Sequence, residues 1–363
     1  MAGGGPDGPG PWPQLVAPAP RPAPPPAPPA PPMRAPDTAA PAPATGSRAT
    51  AGFGASLPPP GRREEAVRPI AKSLYREHPE VARLGAEERG ELMRQLGAAI
   101  EGHASPPAPL MRFDQAGFPA PILQCIEELG FPAPTPIQAI GWPVALSGFD
   151  MVGLAQTGSG KTLAYLCPAF AHIAAQPPLD DGDGPVALVL APTRELAVQI
   201  QAEAFRLAEA MGVREAVVYG GVQRRGQVQE LRRGCEIVIA TPGRLLDLLE
   251  GGATNLKRVT YLVVDEADRM LDMGFEPQLR RIVSQIRPDR QTLLWSATWP
   301  REIQYRFPVS FCRCFFLREW STRGRRRSAP LLPSWYFFVC FLSHSLSCLY
   351  TPGSVMGIFI FFF

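Results

Sequence analysis

Cysteine is scarce in this chain, with seven in 363 residues. The three in its patterned part, Cys125, Cys167 and Cys235, stand far apart with no CxxC pairing. That spacing indicates neither a disulfide framework nor a zinc site, and it fits free thiols in a reducing compartment. A dominant charge is also lacking. A formal net charge of +3 is too small to argue for nucleic acid by itself, so any such reading must rest on motifs. No apolar run offers the ~20 residues that a membrane-spanning helix needs. The nearest, 335–350, is short and interrupted by serines and a histidine, and Thr351-Pro352-Gly353 ends it; no membrane partner is expected. Residues 1–61 are dominated by Pro, Ala and Gly and hold hardly any aliphatic or aromatic side chain. Such a segment cannot offset the entropy of ordering and is expected to be disordered. Its prolines also break what would have to be the apolar stretch of a signal peptide.

What remains is strongly patterned. Residues 62–112 are charged and helical in pattern, with Leu74, Val81, Leu84, Leu92 and Leu96 forming an intermittent apolar stripe. That extension either packs on the core or stands as a solvated helix. From 113 to 304, short apolar runs alternate with longer helical stretches, the signature of an α/β fold whose parallel sheet is covered by helices on both faces. Strands are expected at 151–155, 186–191, 215–219, 236–240, 261–265 and 292–296, with helices following Lys161, Arg194, Arg244 and Glu276. This is one domain with a single core. Over 305–363 the alternation stops, the composition turns to Phe, Trp, Cys, Ser and Arg, and no acidic residue follows Glu319. That tail is expected to be anomalous rather than a domain. Its Arg323-Gly324-Arg325-Arg326-Arg327 run is read as chance.

Two motifs carry the chemistry. The first strand runs into Ala155-Gln156-Thr157-Gly158-Ser159-Gly160-Lys161-Thr162. Backbone N–H groups of such a glycine-rich turn can wrap phosphate oxygens, and the helix that follows aims its positive end at them. Lys161 adds a point charge for the β and γ phosphates, and the Thr162 hydroxyl can ligate Mg²⁺. The second motif, Asp265-Glu266-Ala267-Asp268, ends another apolar strand. It offers one carboxylate to hold the metal and a neighbour to orient or deprotonate the attacking water. Taken singly, the first motif could be a chance loop and the second a solvated charge run or helix cap. In this order, each after an apolar run, they point to a nucleoside triphosphatase.

Further motifs surround them. Thr135-Pro136-Ile137-Gln138 precedes the first strand, and a glutamine can bond adenine bidentately where guanine offers no match. Pro192-Thr193-Arg194, Gly220-Gly221, Thr241-Pro242-Gly243-Arg244 and Ser296-Ala297-Thr298 each follow an expected strand. They therefore lie on the carboxyl edge of the sheet, where open α/β folds bind ligands. Thr241-Pro242-Gly243 and Ser296-Ala297-Thr298 also suit helix-starting turns.

With these motifs in order over 113–304, the chain resembles the DEAD-box family of ATP-dependent RNA helicases. Leu74-Tyr75-Arg76-Glu77-His78-Pro79 is similar to a segment of its largely nuclear Dbp-two and p-sixty-eight type subgroup. The resemblance implies a RecA-like P-loop domain using ATP and Mg²⁺, with Phe113 stacking on adenine and Gln138 reading its edge. Gln156, Thr157, Gly158, Ser159, Gly160, Lys161 and Thr162 would hold the triphosphate. Asp265 would hold the metal with Thr162, and Glu266 would be the catalytic base. Pro192, Thr193, Arg194, Gly221, Thr241, Pro242, Gly243 and Arg244 would line the RNA backbone without reading bases. Asp268, Ser296 and Thr298 would couple hydrolysis to movement of those elements. The implied activity is Mg²⁺-ATP hydrolysis coupled to RNA strand separation or ribonucleoprotein remodelling, in nucleus or cytoplasm.

Members of the family also have a second helicase domain that supplies an arginine finger, and nothing in 305–363 resembles it. Such a finger is worth ~10³–10⁵ in related phosphoryl transfers, so the chain as written is expected to be a poor ATPase. A non-catalytic ATP- or RNA-binding fragment is therefore the competing expectation. A P-loop ATPase acting on DNA or protein is a third, against which Gln138 and the Thr241–Arg244 turn argue.

Overall fold

A computed structural model describes residues 57, 68–102, 105–299 and 315–319. Residues 1–56 and 321–363, and with them the expectations of a disordered leader and a short apolar run at 335–350, lie outside the described residues. In chain order the elements are α1 (Pro79–Ala82), α2 (Ala86–Gln95), β1 (Ala98–Glu101), a 3₁₀ turn (Phe113–Ala116), α3 (Ala120–Glu128) and α4 (Pro136–Leu146). There follow β2 (Met151–Leu154), α5 (Lys161–Ala174), β3 (Ala187–Leu190), α6 (Arg194–Met211), β4 (Glu215–Val218), α7 (Arg224–Arg232), β5 (Ile237–Ala240) and α8 (Pro242–Glu250). The last are β6 (Tyr261–Val264), α9 (Ala267–Asp272), α10 (Glu276–Gln285), β7 (Gln291–Ser296) and β8 (Phe315–Glu319).

Period-two geometry explains why the strands read as unbroken apolar runs. In β3, Ala187 and Val189 enter one core cluster and Leu188 and Leu190 the other. Ile237 and Ile239 against Val238, and Tyr261 and Val263 against Leu262, divide the same way in β5 and β6. A strand buried on both faces has no polar side to show. Helices α3 to α6 cover the first face with residues such as Ile122, Ile140, Phe170 and Ile200, and α7 to α10 cover the second with Leu231, Leu245, Met270 and Ile282. In β2, Gly153 lies in register with Trp295 of β7, and a Cβ there would collide with the indole ring. The glycine is what lets that large ring into the core.

The sheet has eight strands in the order β1-β8-β2-β7-β6-β3-β5-β4. Neighbours run parallel from β8 to β4, and β1 is antiparallel to β8. The six strands expected from sequence form the contiguous run from β2 to β4. The parallel reading needs one correction, the antiparallel β1 at the edge. A second concerns 305–363, where no strand was expected: β8 pairs with β2 and brings Leu317 into the core.

The segment before Phe113 is packed on the core rather than solvated. Its extended part is stitched down by Leu74 and Tyr75 N–H groups that both donate to Leu146 O, at 2.7 and 2.9 Å. Ala71 exchanges bonds with Gln176: its N–H donates to the side-chain oxygen at 3.2 Å, and its carbonyl accepts from the amide at 2.9 Å.

Candidate nucleotide and nucleic-acid site

Because β2 through β4 run parallel, the loops after them emerge on one edge. Residues 155–160 connect β2 to α5. Gly158 and Gly160 have φ of +82° and +86°, a region that side-chain-bearing residues avoid, and a Cβ at Gly160 would stand 2.7 Å from Gln138 Nε2. Lys161 opens α5 and is almost wholly buried, and its ammonium donates to Ala155 O at 2.9 Å. Charge is thus folded into the loop, beside a buried Ser159 hydroxyl that finds no partner among the described residues. Buried polar atoms are normally satisfied, so an orphan at this point suits a ligand that brings oxygens.

Opposite stands the end of β6. Asp265 is 3% exposed. One of its oxygens accepts from the Tyr165 hydroxyl at 2.9 Å, and the other accepts from Glu266 N–H at 2.9 Å. Burial pushes its carboxyl above the usual range, while the Lys161 ammonium and the Tyr165 bond pull the other way. Glu266 has φ +49° and ψ +52°, the left-handed region, alone among the described non-glycine residues. Such a conformation costs ~1–3 kcal/mol and points to a functional constraint. Its carboxylate pairs with Arg269 at 3.1 Å.

Asp268 ties this motif to the end of β7. One of its oxygens accepts from Ala297 N–H at 3.2 Å, Thr298 N–H at 2.9 Å and the Thr298 hydroxyl at 3.0 Å. Its own N–H donates to Ser296 Oγ at 3.3 Å, and that hydroxyl donates to Thr298 O at 2.7 Å. The structure thus brings together the three residues expected to couple.

Gln138, expected to read the adenine edge, is buried in the first turn of α4. It is 4% exposed, its side-chain oxygen accepts from Thr135 N–H at 3.0 Å and its amide donates to Gly160 O at 3.0 Å. Both ends of the amide are committed inside the chain, binding the start of α4 to the phosphate-type loop. Phe113 lies 6.0 Å from the Trp142 ring one helical turn along α4, and Trp142 donates to Leu163 O on α5 at 3.2 Å.

The second group of expected residues follows β3, β4 and β5, which are neighbours. Pro192 is buried, and the Thr193 hydroxyl caps α6 by accepting from Leu196 N–H at 3.3 Å. Arg194 is exposed, with its guanidinium 5.0 Å from the centre of the Tyr219 ring. Gly221 has φ +83°. Thr241 is the N-cap residue of α8 without a side-chain capping bond, and Pro242, Gly243 and Arg244 lie in its first turn, Arg244 donating to Gln227 Oε1 at 2.8 Å and Val222 O at 3.1 Å. Sequence reading missed Tyr165 and Gln227. Only the spacing of Tyr165 from Lys161, one helical turn along α5 and so facing the same way, could have pointed to the first.

A glycine-rich loop with a buried lysine, facing an acidic strand end across a doubly covered parallel sheet, defines a RecA-like P-loop nucleotide-binding domain. Within that class, residues 135–305 match the DEAD/DEAH box helicase family, and this domain of the chain is a member of it. It is 59% identical over 233 residues to the ATP-dependent RNA helicase DBP2 of Candida albicans, covering 64% of this chain and 41% of that one. It is 57% identical over 249 residues to the DEAD-box ATP-dependent RNA helicase 30 of Oryza sativa subsp. japonica, covering 69% and 37%. The chain therefore spans about two-fifths of the length of these curated relatives. Among solved structures, the yeast DEAD-box splicing factor Prp28 superposes with a TM-score of 0.62 at 32% identity, covering 68% of this chain and 58% of that one. The RNA helicase Prp28 from Chaetomium thermophilum, bound to ADP, gives 0.59 at 33%, covering 68% and 60%.

Proposed function

We propose that this domain binds Mg²⁺-ATP and RNA and serves an ATP-dependent RNA helicase, hydrolysing the nucleotide to separate strands or remodel ribonucleoproteins. The observation that carries the reading is the pairing of two charged loops through α5: Lys161 at its start and Tyr165 one turn on, the latter bonded to Asp265. The match to a helicase family and the likeness to an ADP-bound relative support it.

In this reading the loop N–H groups and Lys161 bind the β and γ phosphates, with Lys161 leaving Ala155 O to do so. The all-oxygen pair of Thr162 and Asp265 fits Mg²⁺, which takes few protein ligands and keeps its waters. When bound, that ion neutralises charge developing on the phosphate oxygens. Glu266 orients the attacking water and accepts its proton. Asp268 passes any shift of this end to residues 296–298, and Arg194, Gly221 and the 241–244 turn hold RNA phosphates. The thiols of Cys125, Cys167 and Cys235 are unpaired, which supports a reducing setting, nucleus or cytoplasm.

Titrations of the full chain with a fluorescent ATP analogue and with single-stranded RNA test this. Lys161→Ala should abolish nucleotide binding and leave RNA binding intact, and RNA affinity should fall steeply with salt and vary little with base sequence. Nucleotide binding that survives Lys161→Ala, or a strong base preference, would overturn the reading.

A further inference from the structure

A glutamine amide buried in an otherwise polar helix needs a reason. In α7 the buried residues are Gln227 and Leu231, one turn apart, and Gln227 is 7% exposed. Leu231 joins the core, but Gln227 makes only polar contacts of note. Its oxygen accepts from Arg244 Nη1 at 2.8 Å and its amide donates to Tyr219 O at 3.2 Å. Leaving such an amide unpaired would cost ~1–3 kcal/mol, so its geometry is fixed by both partners at once.

Those partners belong to different loops. Tyr219 follows β4 and supports Arg194 on its ring face, and Arg244 stands in the first turn of α8 after β5. Arg244 also donates to Val222 O at 3.1 Å, and its Nε lies 3.6 Å from Asp247, which leaves the side chain 13% exposed. A flexible arginine is thereby held in one orientation, with each of its three guanidinium nitrogens engaged within the chain. The amide joins the loops after β4 and β5, and Arg194 after β3 meets them on the Tyr219 ring.

We propose that Gln227 is a positioning residue for nucleic-acid binding, setting the spacing of Arg194, the 219–222 loop and Arg244 so that they match successive phosphates of one strand. This rests on the reading that these loops hold RNA. Gln227 itself touches no RNA; it acts through Arg244 and Tyr219.

Gln227→Met keeps the volume and removes both bonds, so packing and hydrogen bonding are separated. Anisotropy of a labelled single-stranded RNA is read for the full chain with Gln227→Met, Arg244→Ala and the double substitution, alongside ATP-analogue binding and thermal unfolding. RNA affinity is expected to fall about 5–10-fold in Gln227→Met, with less than about twofold further loss when the change is added to Arg244→Ala, as for residues acting as one unit. Nucleotide affinity should not change. If Arg244→Ala weakens RNA and Gln227→Met does not, the inference fails and the RNA reading stands. If Gln227→Met loses the same factor in both backgrounds, its action through Arg244 is refuted. If Arg244→Ala leaves RNA affinity unchanged, the RNA reading itself fails, and the inference with it. Should Gln227→Met lower the unfolding temperature and nucleotide affinity together, its role is general stability and the proposal is overturned.

Discussion

Where β2, β7 and β6 end, three of the functional side chains are turned inward, while Gln156, Thr157 and Thr298 are exposed. Lys161, Asp265 and Ser296 are 9%, 3% and 0% exposed, and each is already bonded to another part of the chain. Where β3, β5 and β4 end, Arg194 is exposed and Thr193, Thr241 and Arg244 are half-buried. The difference follows from the ligands proposed. A compact triphosphate is bound by groups fixed before it arrives, in a setting where burial strengthens each charge. A nucleic-acid backbone is long and uniform, so it is met by reach and charge at the surface. The first half should lose function when one buried bond is cut. The second should lose it gradually.

Changes to Glu266 give the sharpest test of that contrast. Glu266→Gln keeps the side chain's size and hydrogen bonding but removes the base. With a second helicase domain joined to this one, single-turnover ATP hydrolysis should fall ~10²–10⁴-fold while Mg²⁺-ATP binding is retained; undiminished hydrolysis would remove Glu266 from the chemistry.

Tyr165→Phe should come next. It deletes one hydroxyl and leaves a buried Asp265 oxygen without its donor. The Mg²⁺ concentration that half-saturates nucleotide binding should rise at least about 10-fold, as when an outer partner of a metal-binding carboxylate is lost. Binding measured in excess chelator should stay as it was. Equal losses with and without Mg²⁺ would mean that the tyrosine only stabilises the fold.

Gln138→Ala separates two roles for one amide. If it turns from Gly160 O to adenine on binding, ATP should weaken more than GTP by ~1–3 kcal/mol, the scale of a bidentate base contact. Calorimetric titration of both nucleotides decides it, and equal weakening would assign the residue to bracing the loop, the contact seen here.

The smallest effect belongs to the exposed half. Arg244→Ala should reduce the slope of log affinity against log salt for RNA by about 1, the loss of one phosphate contact, with ATP affinity untouched. A slope that does not move would place Arg244 away from the backbone.

The sequence was informative wherever the signal is local. Of the six strands from β2 to β7, four are buried along their whole length, β2 is buried at three of its four residues and β4 alternates, and the motifs sit at their ends because turns after strands need glycine, proline or capping residues. What was not legible is long-range. Tyr165 meets Asp265 across 100 residues of sequence, and Gln227 meets Arg244 across 17; neither pairing leaves a local trace. Ala98–Glu101 follows directly on a helical stripe, and Phe315–Glu319 lies in a stretch whose composition shows no alternation. Both become strands only because each pairs with the other and β8 also pairs with β2. Gln138 was read for what its amide can bond in a base, whereas its burial under Gly160 depends on how α4 crosses α5.

One carboxylate oxygen of Asp268 accepts from three donors of residues 297 and 298 at once. Contacts sharing a single atom cannot be given up one at a time: a rotation of the Asp268 side chain releases the whole turn, and a small displacement of the turn breaks the set. The link between the ends of β6 and β7 thus has the character of a catch with two positions rather than a spring. An intermediate response at the nucleotide end, such as binding without hydrolysis, should then leave the 296–298 turn wholly in one arrangement or wholly in the other.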